Sequence, residues 1–163
     1  MNEQRKSAER TGASRHFMIL TALLTTGTVQ VVDGYDRSVR LIDDILGIEH
    51  VDWESTLNVG EEPYYQSKEF GPFPDHQFRI SARASLGVAA CNYTDNNDPV
   101  MGNAISWNPR PAGDAMLIFN GATGSVFPAS ASIPISLARE SLLEWLNTRK
   151  RPTCIEWRPY DKF

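Results

Sequence analysis

The chain has 163 residues, of which 41% are hydrophobic, 10% aromatic and 22% charged, the proportions of one globular domain whose core needs no disulfide or metal staple. Its formal charge of −4 hides an asymmetry: residues 33–98 hold thirteen acids against five bases, a net −8, whereas residues 1–32 hold four bases and two acids and residues 99–163 hold seven bases and five acids. A block that negative excludes nucleic acid and anionic membrane as direct partners and steers basic proteins towards the chain, unless it is simply a solvated acidic face.

Residues 1–16 read as a flexible tail and residues 17–163 as a single domain. The apolar run Phe17 to Leu24 is far shorter than the roughly 20 residues that span a bilayer. Thr25-Thr26-Gly27 supplies no small-x-small cleavage pattern, so a cytoplasmic protein is expected. Cys91 and Cys154 are too few for a disulfide framework and are expected to be reduced, each in a strand.

Phe17 to Val32, apolar and β-branched around Gly27, reads as two short strands or one strand broken by a turn. After the turn signal Asp33-Gly34, Asp36 can cap a helix from Arg37 to Leu46 with Val39, Ile42, Ile45 and Leu46 on one face, and Gly47 stops it. A short strand within Val51 to Val59 precedes a long loop from Gly60 to Asp75. Gln77 to Ala84 is the clearest strand, with Phe78, Ile80, Ala82 and Ala84 alternating against Gln77, Arg79, Ser81 and Arg83.

Leu86 to Tyr93 and Ala104 to Trp107 follow as strands on either side of the polar loop Asp95 to Asn103. Beyond the turn Asn108-Pro109-Arg110-Pro111, the apolar run Ala115 to Phe119 suggests a central strand, and Asn120-Gly121 turns into a short strand near Ser125 to Phe127. A second helix starts near Pro134 or Ser136, carries Ala138, Leu142, Trp145 and Leu146 on its apolar stripe, and ends among Arg149, Lys150 and Arg151 before Pro152. Thr153 to Trp157 closes the sheet. The expected fold is α+β: one domain, mainly antiparallel sheet, with two main helices packed on one face.

Catalytic constellations are missing from the sequence. There is no Gly-x-Ser-x-Gly elbow, and His16, His50 and His76 stand apart from any nucleophile or acid cluster. His50-Val51-Asp52 has no further ligands to complete a metal site. The His-x-Glu and Pro-Cys-x-x-Cys signatures of a zinc deaminase are absent, as is any phosphate-cradling glycine loop. Adjacent carboxylates such as Asp43-Asp44 and Glu61-Glu62 diverge and face water. The chain is therefore read as a binding protein with no cofactor and no metal. An enzyme with a scattered site, using His50 or His76, is the rival of another class.

Interface chemistry remains. Residues 53–75 mix Trp53, Tyr64, Tyr65, Phe70 and Phe73 with Glu54, Glu61, Glu62, Glu69 and Asp75, combining rigid aromatic anchors with negative charge in a long loop. These rings serve either as contacts or as the loop's own small core. Asp95 and Asp98, with Met101, can share the same rim. The candidate contact set is Trp53, Glu54, Glu61, Glu62, Tyr64, Tyr65, Asp95 and Asp98, whereas Trp107, Trp145 and Trp157 read as core.

The stretches Phe127-Pro128-Ala129 through Ile133-Pro134-Ile135, Ala138-Arg139-Glu140, Trp145-Leu146 and Arg151-Pro152-Thr153-Cys154-Ile155-Glu156-Trp157 resemble the first-numbered family of bacterial polymorphic-toxin immunity proteins. One departure is visible: where that family carries a threonine-glycine pair after the helix, this chain has Thr148-Arg149. The resemblance implies a cytosolic antagonist that docks over a cognate toxin, typically a basic nucleic-acid deaminase, and blocks its active site or substrate groove. The alternative is a small-ligand or regulatory binding domain unrelated to toxins.

Overall fold

Two apolar stretches separated by Gly27 form the hairpin of β1 (Ile19–Leu23) and β2 (Val29–Asp33), the first of the elements in a computed structural model that describes residues 18–64 and 74–160. Helix α1 (Tyr35–Leu46) follows at once and starts two residues before the expected Arg37. The reason is Gly34, whose φ of 94° and ψ of 159° form a backbone bend that side chains disfavour and that swings the chain directly from strand into helix. Asp36 therefore lies in the first turn instead of capping it. Ser38 donates its hydroxyl to Gly34 O at 2.7 Å. Leu41, Ile42, Ile45 and Leu46 are buried along the inner stripe, each worth about 1.5–3 kcal/mol of apolar burial.

Strands β3 (Ser55–Gly60), β4 (His76–Arg83), β5 (Val88–Asp95) and β6 (Asn103–Trp107) extend the sheet. The expected strand from Leu86 starts at Val88, because Ala84–Leu86 is a 3-10 turn that leaves Leu86 56% exposed. Among the described residues, strands β7 (Ile118–Asn120) and β8 (Ser125–Val126) pair only with each other, and β9 (Ile133–Pro134) pairs with the start of β5. Helix α2 (Ile135–Thr148) and β10 (Glu156–Pro159) complete the fold. The main sheet has the order β10-β6-β5-β4-β3-β1-β2 with antiparallel pairing throughout.

Both helices lie on one face, as expected. The alternating residues Leu20, Leu57, Val59, Phe78, Ile80, Cys91 and Tyr93 meet Leu41, Ile42, Ile45, Leu142, Trp145 and Leu146 in one core. Arg139 joins the helices through both oxygens of Asp43, at 2.7 and 3.3 Å.

The opposite face differs from the expectation that only one face is covered. Val88, Ala90 and Ile105 there support a second, smaller core with Leu117, Phe119, Phe127 and Ala131. Ala115 to Phe119 is thus apolar because it packs flat on the sheet beside its hairpin partner, not because it is a central strand. Cys91 is buried in β5 as expected, but Cys154 is exposed and precedes β10 outside any strand. Of the three tryptophans read as core, Trp145 is completely buried and Trp157 packs partly against the helix-side core, while Trp107 lies under the Arg158 guanidinium at 3.9 Å.

Candidate functional site

Strand β3 divides the residues that the sequence groups together. Trp53 and Glu54 precede it, whereas Glu61, Glu62 and Tyr64 follow it. With a rise of about 3.3 Å per residue, its two ends lie roughly 20 Å apart. The candidate contacts therefore belong to opposite ends of the sheet. Tyr65, Glu69, Phe70 and Phe73 lie outside the described residues, as do His16 and the segment read as a tail.

At one end, β2 finishes at Asp33, β3 at Gly60 and β5 at Asp95, while β4 starts at His76. The topology thereby collects Asp33, Glu61, Glu62, Asp75, Asp95 and Asp98, carried by different strands and loops. The Asn96 amide donates to Asp75 O at 2.9 Å and joins two of those connections. A cavity of about 450 Å³ opens here, lined by Gly60, Glu61, Glu62, Tyr64, His76 and Arg149. Tyr64 is fixed in its wall. Its amide donates to Thr21 Oγ1 at 3.1 Å, and its ring covers Gly60 so closely that a Cβ there would come within 2.5 Å of the phenol oxygen.

His76, read as an isolated loop histidine, is part of this wall. Its ring packs against Tyr93 and Trp145 at 6.2 and 6.0 Å, and burial holds its pKa below the ordinary value although the Asp95 charge works against that. Glu61 and Glu62 are exposed and Asp95 half-buried. Asp98 is already engaged, accepting from the Val100 and Met101 amides at 2.9 and 3.0 Å and from Arg151 Nη1 at 2.8 Å. Those backbone bonds, ahead of Arg151, hold its carboxyl below the usual range.

At the other end, Glu54 is also engaged. Its Oε2 accepts the Gly121 amide at 2.9 Å, and Oε1 lies 3.8 Å from Arg79 Nη1. Arg79 in turn donates to Phe119 O at 2.8 Å and lies over the Phe119 ring at 4.7 Å, so this pair fastens the β7–β8 hairpin to the sheet. Trp53 stays 47% exposed. It borders a smaller cavity of about 270 Å³ with Leu23, Leu24, Thr25, Gly27 and Thr56, and Thr25 Oγ1 donates to its carbonyl at 2.7 Å.

His50, the third histidine, is structural. It is fully buried; its Nδ1 faces the carbonyls of Ile48 and Ala82 at 2.9 and 3.2 Å, which makes Nδ1 the protonated nitrogen, and Nε2 accepts from Ser55 Oγ at 2.8 Å. Among the described residues, no group of three or more His, Cys, Asp or Glu side chains is arranged to hold a metal. No helix among them is long and apolar enough to cross a membrane.

The model of the family described as Immunity protein Imm1 matches residues 32–159, from the end of β2 to the end of β10. The chain belongs to this family. No curated protein matches it. As a member of the Imm1 family the chain is a toxin-neutralising immunity protein, and its partner is a cognate toxin.

Proposed function

We propose that this immunity protein neutralises a nucleic-acid deaminase toxin, in the cytosol where both are made, by laying the acidic end of its sheet into the toxin's substrate groove. The observation that carries the reading is that Glu61 and Glu62 line one concave, Tyr64-walled opening, with Asp75 and Asp95 flanking its His76 wall at the same end of the sheet. A deaminase that acts on DNA or RNA has to present a basic groove to the phosphate backbone. Carboxylates set in that groove exclude the substrate and raise the rate at which the two proteins meet.

Tyr64 supplies a rigid aromatic surface beside the charges, the combination that concentrates binding energy in interfaces. No group of the immunity protein needs to react with anything. The test is co-purification with the product of the adjacent upstream gene, followed by a nucleic-acid deamination assay with and without the immunity protein. A stable complex without deamination is expected. A complex whose toxin partner cleaves, glycosylates or otherwise modifies another target refutes the deaminase reading and leaves the family intact.

A further inference from the structure

On the sheet face away from the helices, the register aligns Val29, Leu23, Thr56, Arg79, Asn92 and Ile105 in one row across six strands. The β7–β8 hairpin covers only part of that row. Its tip stops at Trp53, which lies against Gly121 so tightly that a Cβ on Gly121 would clash with the indole. Beyond Trp53 no element among the described residues covers the face: Val29 is 53% exposed and Val31, one row further along, is 48% exposed.

The open face ends on the edge of the sheet. Among the described residues, β2 pairs with β1 alone, so half of its backbone donors and acceptors point away from the sheet. Edges of this kind are normally blunted with lysine, proline or a bulge. Val29-Gln30-Val31-Val32-Asp33 has no lysine and no proline, and it pairs with β1 in unbroken register. Its single charge is Asp33, at the acidic end.

We propose that β2 is a docking edge on which an extended segment of the cognate toxin adds a further antiparallel or parallel strand, with alternate apolar side chains over Val29 and Val31. The unpaired backbone groups specify a strand, because only another extended chain offers acceptors and donors at that repeat. The valines, at the two-residue period, specify apolar residues at every second position. This contact requires a protein partner, which membership of the family supplies, and it does not depend on what reaction the toxin catalyses.

The experiment is hydrogen exchange of the full chain, free and bound to the toxin against which it protects, read at the amides of Val29 to Asp33. The expected result is that the amides not bonded to β1 exchange freely in the isolated chain and slow by at least 100-fold in the complex. In parallel, the double substitution Val29→Lys/Val31→Lys, at exposed positions, should leave the melting temperature unchanged and weaken the complex by on the order of 10-fold or more. Amides already protected in the free chain would mean that the edge is occupied by this chain's own residues or by a second copy, and would overturn the proposal. Amides that stay unprotected in a complex that still forms would overturn it equally, while leaving the acidic-end contact standing.

Discussion

Arg149 donates its backbone N–H to Trp145 O at 2.7 Å while holding φ at 54°, the one positive φ of a non-glycine residue among those described. The bond closes helix α2, and it needs the left-handed conformation that glycine adopts without cost at this position. It is also the place at which the family resemblance leads one to expect glycine after Thr148. Replacing the side chain relieves the Cβ clash of this conformation but gives up the contacts of the guanidinium. Arg149→Gly is expected to stabilise the domain by about 1 kcal/mol, a rise of roughly 2–4 °C in melting temperature for a chain of this size. A fall in calorimetric melting temperature would show that the side-chain contacts outweigh the strain.

Glu54 gives a second prediction. The sequence places it among candidate contacts because it stands next to Trp53, yet its carboxylate serves the Gly121 amide and the Arg79 guanidinium, with only 10% of the Glu54 side chain exposed. Removing it strands an amide and leaves a half-buried cation without its counter-charge. Glu54→Ala should cost about 2 kcal/mol in urea denaturation and loosen the β7–β8 hairpin first. A variant as stable as the parent would mean that solvent replaces both partners and would return Glu54 to the interface.

The difference between these two residues shows what the sequence can carry. Alternation placed Phe78, Ile80 and Ala82 inward and Arg79 outward, and both helices were legible from their stripes, because periodicity reports which face is covered. It does not report what covers the other face. The run Ala115 to Phe119 looked like a central strand since burial on a sheet and burial within one have the same composition. The grouping of the candidate contacts met the same limit: adjacency in sequence grouped Trp53 with Glu61, and a single intervening strand of six residues, Ser55–Gly60, separates them. Conversely His76 and Asp95, far apart in sequence, became register partners on β4 and β5.

His50 predicts a pH dependence. Burial, the leading cause, depresses its pKa below 6.5 in the folded chain, opposed by its carbonyl contacts. The unfolded chain therefore binds the proton more readily. The contribution of neutral His50 to stability is complete above about pH 6.5 and is lost as pH falls from there through the folded pKa, with a slope of at most about 1.4 kcal/mol per pH unit for one group. His76 acts in the same direction for the same reason. Denaturant midpoints measured between pH 8 and pH 5 should fall on the acidic side, and His50→Gln should flatten the fall while lowering stability at pH 8. An unaltered slope in that variant would assign the dependence to His76.

The acidic end makes its prediction through kinetics. Glu61 and Glu62 are exposed, so their charges act on the approaching toxin before contact, mainly on the encounter. Each unit charge removed weakens steering at low ionic strength, and salt of about 1 M, where the screening length is near 3 Å, removes the difference. Glu61→Gln/Glu62→Gln should therefore slow association with the toxin by about 10-fold at 20 mM salt, change the dissociation rate little, and become indistinguishable from the parent at 1 M. Tyr64→Ala should do the reverse, speeding dissociation with association nearly unchanged, because an anchoring ring contributes after contact. Stopped-flow association together with dissociation measured by competition separates the two. If the double glutamine variant associates as fast as the parent at low salt, the acidic end faces away from the toxin, and the contact surface has to be sought at the Trp53 end of β3.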